Sequence, residues 1–221
     1  TYGVDVNTNP NPSPQHLNVF EGDVTTQTFT IDTLSSLTIR SLDQNTNTAL
    51  PNFSFTLTGE NSIGTDGNGI AIPKYKQDLI TDAVGIVSLA NMEFDNYTIS
   101  FDSMATGYNL AGSSAPLPYH LSPGVNDSLD ILLAAHTDHN LLINITDDIG
   151  SPIPLVNIRL FNLVGYDTTQ LTSLYGQTFF SGLTPGDYTL EITKDGYNAT
   201  TNAVAISGSV TQSVAMAPQT P

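Results

Sequence analysis

The chain contains no cysteine and no tryptophan, and only five basic residues stand against 21 acidic ones. Without cysteine no disulfide can hold a small module together, which points to a prokaryotic surface protein or a cytosolic one rather than a small secreted eukaryotic module. A formal charge of −16 repels phosphate backbones and anionic lipid, so nucleic-acid binding is excluded and the acid excess reads as a solvated surface. No apolar run approaches about 18 residues, so this segment inserts no helix in a membrane. Signal-peptide and lipidation patterns are also missing, and the chain starts and stops as if cut from something longer.

What is present favours strands. Apolar residues make up 39% of the 221 residues, enough for packed cores in one large or two smaller domains. Charged residues are only 12%, so Asn, Thr, Ser, Asp and Gln must carry solubility. β-branched and turn-forming residues recur throughout, two-residue alternation is frequent, and no helical period persists beyond about two turns.

The chain aligns with itself. Residues 81–100 match residues 172–191 without a gap, placing Gly85 on Gly176, Leu89 on Phe180, Met92 on Leu183 and Tyr97 on Tyr188. Upstream, Ala49–Leu57 falls on Ser151–Leu160 with one residue of slip; downstream, Gly107-Tyr108 falls on Gly196-Tyr197. Leu37–Arg40 and Leu141–Ile145 are predicted first strands, and Phe53–Leu57 and Val156–Phe161 alternate cleanly. Gly85 and Gly176 stand where a turn needs positive φ. Pro185-Gly186-Asp187 reads as a tight turn delivering Tyr188, and both repeat tyrosines are expected to be packed rings with their hydroxyls on nearby backbone.

Turns every 8–12 residues predict an all-β chain of two tandem Greek-key β-sandwiches, residues 33–136 with an insertion near 59–79, and residues 137–218. Tyr2-Gly3, a proline-rich stretch and then Leu17–Ile31 parallel Tyr108, Pro116–Pro118 and Leu121–Leu133. Residues 1–32 therefore read as N-terminal strands from an incomplete third repeat, which must dock on the first module or on another chain.

The run Leu183-Thr-Pro-Gly-Asp-Tyr-Thr-Leu with Gly196-Tyr197 resembles the carboxypeptidase-regulatory-like and collagen-adhesin B-type families. The resemblance covers residues 139–218 well and residues 37–136 more loosely, where Phe94-Asp95-Asn96 replaces Pro-Gly-Asp. It implies transthyretin-like or immunoglobulin-like sandwiches that act as spacers, stalks and adhesive modules of surface proteins. Members of the adhesin type often carry a Lys–Asn isopeptide bond from a buried first-strand lysine. Arg40 and Asn144 stand on the first strands here, and the three lysines are Lys74, Lys76 and Lys194, so no such bond is expected.

Chemistry is sparse. His136-Thr-Asp-His139 is the one histidine cluster, with His16 and His120 elsewhere, and it lacks a third ligand for zinc. Asp66-Gly-Asn-Gly lacks the glutamate that completes a calcium loop, and Asp147-Asp148 before Gly150 reads as a turn. No Gly-x-Ser-x-Gly elbow occurs, and the four glutamates, Glu21, Glu60, Glu93 and Glu191, have no flanking motif for glycoside hydrolysis. Five sequons, at Asn52, Asn96, Asn126, Asn144 and Asn198, are expected by chance in so Asn- and Thr-rich a chain. No catalytic, cofactor-binding or metal residue is therefore assigned, and no cofactor. The expected function is a non-enzymatic extracellular stalk, spacer or pilus-like display module whose partners are neighbouring copies or other surface proteins. The alternative is an adhesin module for carbohydrate or protein; Tyr75, Tyr119, Tyr166 and Tyr175 are the rings that could be exposed for it, although their spacing defines no platform.

Overall fold

A computed structural model describes residues 33–219, together with Gly22. The reading of residues 1–32 as the tail of another repeat, with His16 and Glu21, lies outside the described residues.

The first half comprises β1 (Ser35–Asp43), β2 (Ser54–Gly59), β3 (Ser62–Thr65), β4 (Ala71–Pro73), β5 (Lys76–Ile80), β6 (Ile86–Met92) and β7 (Asp95–Ser100). A single helical turn, α1 (Ser103–Thr106), precedes β8 (Tyr108–Ser113), β9 (Tyr119–Leu121) and β10 (Asn126–Ala135). The second half comprises β11 (Asn140–Thr146), β12 (Asn157–Phe161), β13 (Asp167–Leu171), β14 (Gln177–Ser181), β15 (Gly186–Thr193), β16 (Thr200–Ile206) and β17 (Ser209–Ala215). α1 exists because Asp102 accepts the Met104 and Ala105 N–H groups, and Gly107, at φ 76°, ends it.

Each half is a sandwich of two sheets. In the first, β6-β1-β10-β8 faces β5-β2-β7-β9; in the second, β14-β11-β17 faces β13-β12-β15-β16. Alternation sorts the faces: Leu37 and Ile39 of β1 are wholly buried, while Arg40 points outward. One core gathers Leu37, Ile39, Leu57, Tyr97, Leu129 and Ile131, and a separate one gathers Leu141, Ile143, Ile158, Phe180, Tyr188 and Leu190. In both, first and last strands are parallel neighbours, β1 with β10 and β11 with β17, and all other ladders are antiparallel.

The repeat holds at the level of single atoms. Thr81 Oγ1 accepts the Phe53 N–H at 3.0 Å, and Thr172 Oγ1 accepts that of Val156 at 2.9 Å. Gly85 and Gly176 adopt φ of 75° and 69° in equivalent turns. The Tyr97 hydroxyl donates to Glu93 O at 2.8 Å, and that of Tyr188 to Thr184 O at 3.0 Å. Each ring is met edge-on by a second tyrosine, Tyr75 at 5.6 Å and Tyr166 at 5.5 Å.

Two differences matter. The stretch between Gly59 and Leu79 divides: β3 and β4 form an extra hairpin, whereas β5 pairs with β2 as β13 pairs with β12. And β8 covers the outer side of β10, while among the described residues no strand lies along the outer side of β17.

Candidate functional site at the junction of the sandwiches

The two sandwiches meet edge on face. β8, the rim of the first sandwich, lies against the outer face of β14-β11-β17, where Ala111, Ala134, Leu142 and Phe179 form a buried cluster with Leu110 packed on it. Burial of Leu142 and Phe179 is worth roughly 1.5–3 kcal/mol each.

Polar clamps flank this cluster. Gln177 Oε1 accepts the Ser113 N–H at 2.7 Å, and Gln177 Nε2 donates to Ser113 Oγ at 3.4 Å. Gly112 permits the approach, since a Cβ there would stand 2.8 Å from Gln177 Oε1. Asn109 Oδ1 accepts the Thr137 N–H at 2.6 Å, and Asn140 Nδ2 donates to Thr137 O and Ser209 Oγ at 3.0 and 2.9 Å. The connecting residues are held on both sides: His136 N–H donates to Gly107 O, and Leu183 N–H to His139 O. The connection is thus built into the structure rather than a loose tether.

Beside the cluster lies a cleft of about 320 Å³ lined by Ile99, Leu110, Leu117, Asn144, Tyr175 and Thr211. A hollow of about 220 Å³ adjoins it and shares Ile99, Leu110, Leu142 and Thr211. Asn144 Oδ1 is buried at this surface without a hydrogen-bond partner.

The residues weighed for chemistry are dispersed. His136 Nε2 contacts Asp138 Oδ1 at 3.3 Å, and His120 Nδ1 faces Asn96 Oδ1 at 3.0 Å. Among the described residues no group of three or more His, Asp or Glu converges to hold a metal ion. Asp66 Oδ1 accepts the Asn68 and Ile70 N–H groups, and Asp147 Oδ1 accepts those of Ile149 and Ser151, so both are turn-forming side chains. Backbone donors hold the Asp66 carboxyl below its ordinary range. Glu60 accepts from Asn96 Nδ2, Glu93 pairs with Lys74, and Glu191 pairs with Arg159. Arg40 grips Asp130 through two bonds of 2.5 and 2.7 Å on the outer face, and Lys194 Nζ donates to Pro154 O and Leu155 O.

The tyrosines supply no common plane. Tyr119 is buried and its hydroxyl donates to Asp127, while Tyr75 and Tyr166 are half-buried against Tyr97 and Tyr188. Tyr175 alone of the four is exposed. Gln177, Ser113 and Asn109, which build the junction, carried no motif.

This architecture defines a pair of immunoglobulin-like, prealbumin-type β-sandwiches. Residues 35–117 match the family described as SpaA, prealbumin-like fold domain. No curated protein sequence matches the chain. Among solved structures, the TIE protein of Bacillus anthracis is similar at 21% identity and a TM-score of 0.34, with 84% of this chain covered. The chain spans 34% of that protein's length. GBS52, the minor pilin of Streptococcus agalactiae, is similar at 16% identity and a TM-score of 0.34, covering 85% of this chain and 98% of its own. The shaft pilin SpaA of Lactobacillus rhamnosus GG is similar at 12% identity and a TM-score of 0.32, covering 86% and 99%.

Proposed function

We propose that the chain is a non-enzymatic structural module of a prokaryotic cell surface, a stalk, spacer or pilus-like display element. The observation that carries this reading is the junction: an apolar cluster flanked by the Gln177–Ser113 and Asn109–Thr137 clamps joins two complete sandwiches in one fixed arrangement. A spacer needs that property, because a loose tether would not hold a load at a set distance. The match of residues 35–117 to the SpaA prealbumin-like fold domain supports the same class. Among the described residues no helix is long and apolar enough to cross a membrane.

The carbohydrate alternative has less support at the tyrosines, because burial of Tyr119 and the packing of Tyr75 and Tyr166 leave these four without a row of rings for a sugar among the described residues. Solution scattering tests the spacer reading. A pair distribution with two maxima, unchanged by moderate salt, is expected for two modules at a fixed separation. A broad, featureless distribution, as from independently moving modules, would overturn it, as would a single spherical globule.

A further inference from the structure

The parallel ladder between β11 and β17 determines which backbone groups of β17 remain over. Asn140 N–H donates to Gly208 O, and Met216 N–H to Thr146 O. Residues of a strand alternate the side on which they bond, so the even-numbered residues between these points face β11. Ser209, Thr211, Ser213 and Ala215 therefore turn their N–H and C=O groups to the outer edge, and all four are exposed. Among the described residues no backbone group bonds them there; only Gln212 Nε2 approaches Ser213 O, at 3.4 Å.

Such an edge is ordinarily blunted by lysine, proline or a bulge. The sequence Ser-Val-Thr-Gln-Ser-Val-Ala has no charge and no proline, and its ladder with β11 is free of register shifts. In the repeat, the equivalent side of β10 is covered by β8. Next to the uncovered edge lie the cleft and the hollow described above, both lined in part by Ile99 and Leu110, with Leu117 and the unpartnered Asn144 Oδ1 at the cleft and Phe101 at the hollow.

We propose that β17 accepts an added strand from a second copy of this chain, and that the added strand is Val24–Ile31. The segment Val-Thr-Thr-Gln-Thr-Phe-Thr-Ile has neither charge nor proline, and it is one residue longer than β17. Alternation would place Thr25, Gln27, Phe29 and Ile31 on one face, whose last two side chains suit the apolar lining of the cleft, and Val24, Thr26, Thr28 and Thr30 on the other. In the internal repeat it aligns with the stretch that forms β10, a strand of the same kind.

Its own chain cannot supply it. Thr33 lies eight residues from Ser41, about 26 Å along β1 at 3.3 Å per residue. Ser41 stands opposite Ile131, which stands opposite Ser113, the residue clamped by Gln177 at the level of Asn144 and Ser213. Asp32 alone separates Ile31 from Thr33, a span of about 7 Å. A neighbouring copy has no such limit. This strand addition rests on the fibre or stalk reading for its purpose.

The test uses the full chain and two substitutions in separate proteins. Thr211→Pro removes an outward N–H that β11 does not use and blocks the acceptor; Phe29→Asp spoils the donor. Sedimentation is expected to show concentration-dependent association of the unaltered chain and monomers of each variant. Mixed one to one, the variants are expected to form a dimer, since one retains a donor and the other an acceptor. Thr211→Lys, which keeps strand geometry, is expected to match Thr211→Pro and stands in for it should the proline variant fail to fold. A monomeric unaltered chain, undiminished association of the variants, or no recovery on mixing would overturn strand addition. Scattering from the monomer would still report on the two-module spacer, so the two readings fail separately.

Discussion

Gln177 and Ser113, 64 residues apart in the chain and in different sandwiches, share a two-point contact in which the Gln177 carboxamide accepts from the Ser113 backbone and donates to its hydroxyl. Both residues are buried, and buried polar groups are ordinarily hydrogen-bonded.

Gln177→Ala should leave the Ser113 N–H buried without a partner, at a cost of about 1–3 kcal/mol. That cost falls on the junction, not on either core. Calorimetry of the unaltered chain is expected to show one cooperative transition, and the variant two.

Thr172→Val should be among the most damaging of conservative changes in the second sandwich. The threonine hydroxyl accepts the Val156 N–H and donates to Ile153 O at 3.0 Å, and valine strands both in an apolar core. A loss of roughly 1–3 kcal/mol is expected in denaturant titration, with Thr81→Val behaving alike in the first sandwich.

Gly150 and Gly176 both have positive φ, 87° and 69°, yet their surroundings differ. A Cβ at Gly150 meets nothing within 4 Å, whereas one at Gly176 would press on Ile145 O, Ile153 N and the Pro152 ring. Gly150→Ala is expected to cost about 1 kcal/mol, from backbone conformation alone. Gly176→Ala should add a further ~1–3 kcal/mol of overpacking, read as the difference between the two denaturation midpoints.

Alkaline pH should unfold the first sandwich through Tyr97. Burial, helped by the nearby Asp95 carboxyl, raises its phenol above the ordinary value of about 10. The folded state thus holds the proton more tightly than the unfolded chain. Stability is full below pH ~10 and declines as pH rises beyond it towards the folded-state value. Tyr97→Phe should lower stability at pH 7 by about 1 kcal/mol, for the lost bond to Glu93 O, and flatten the decline above pH ~10. Tyr119, also raised by burial and by its bond to Asp127, retains the remaining slope.

Strand positions are legible where one face is apolar and the other polar, as in Leu37-Thr38-Ile39. The junction breaks that rule. β11 begins Asn-Leu-Leu-Ile and β14 contains Phe179-Phe180, apolar on both faces, against Thr38 and Ser88 at the matching outward positions of the first sandwich. A strand that is apolar on both sides is covered on both sides, so the docking face was written in the repeat as a departure from it. Gln177 and Asn109 are not legible, because a lone amide in an Asn- and Thr-rich chain carries no periodicity. α1 is equally silent: four residues make one turn, stabilised by the Asp102 cap rather than by any apolar stripe.

The parallel pairing of first and last strands has a mechanical consequence. In the first sandwich the ladder runs from Ser36 opposite Asn126 to Asp43 opposite Leu133. Chain enters at the start of β1 and leaves at the end of β10, at opposite ends of that ladder. Tension along a stalk therefore pulls the two strands past each other lengthwise, so the rungs resist together rather than parting one by one as in a peeled hairpin. The Arg40–Asp130 pair bridges the same two strands and opposes the same sliding. β11 and β17 repeat the arrangement, so the two sandwiches in series present two such shear-loaded ladders to any force borne along the chain.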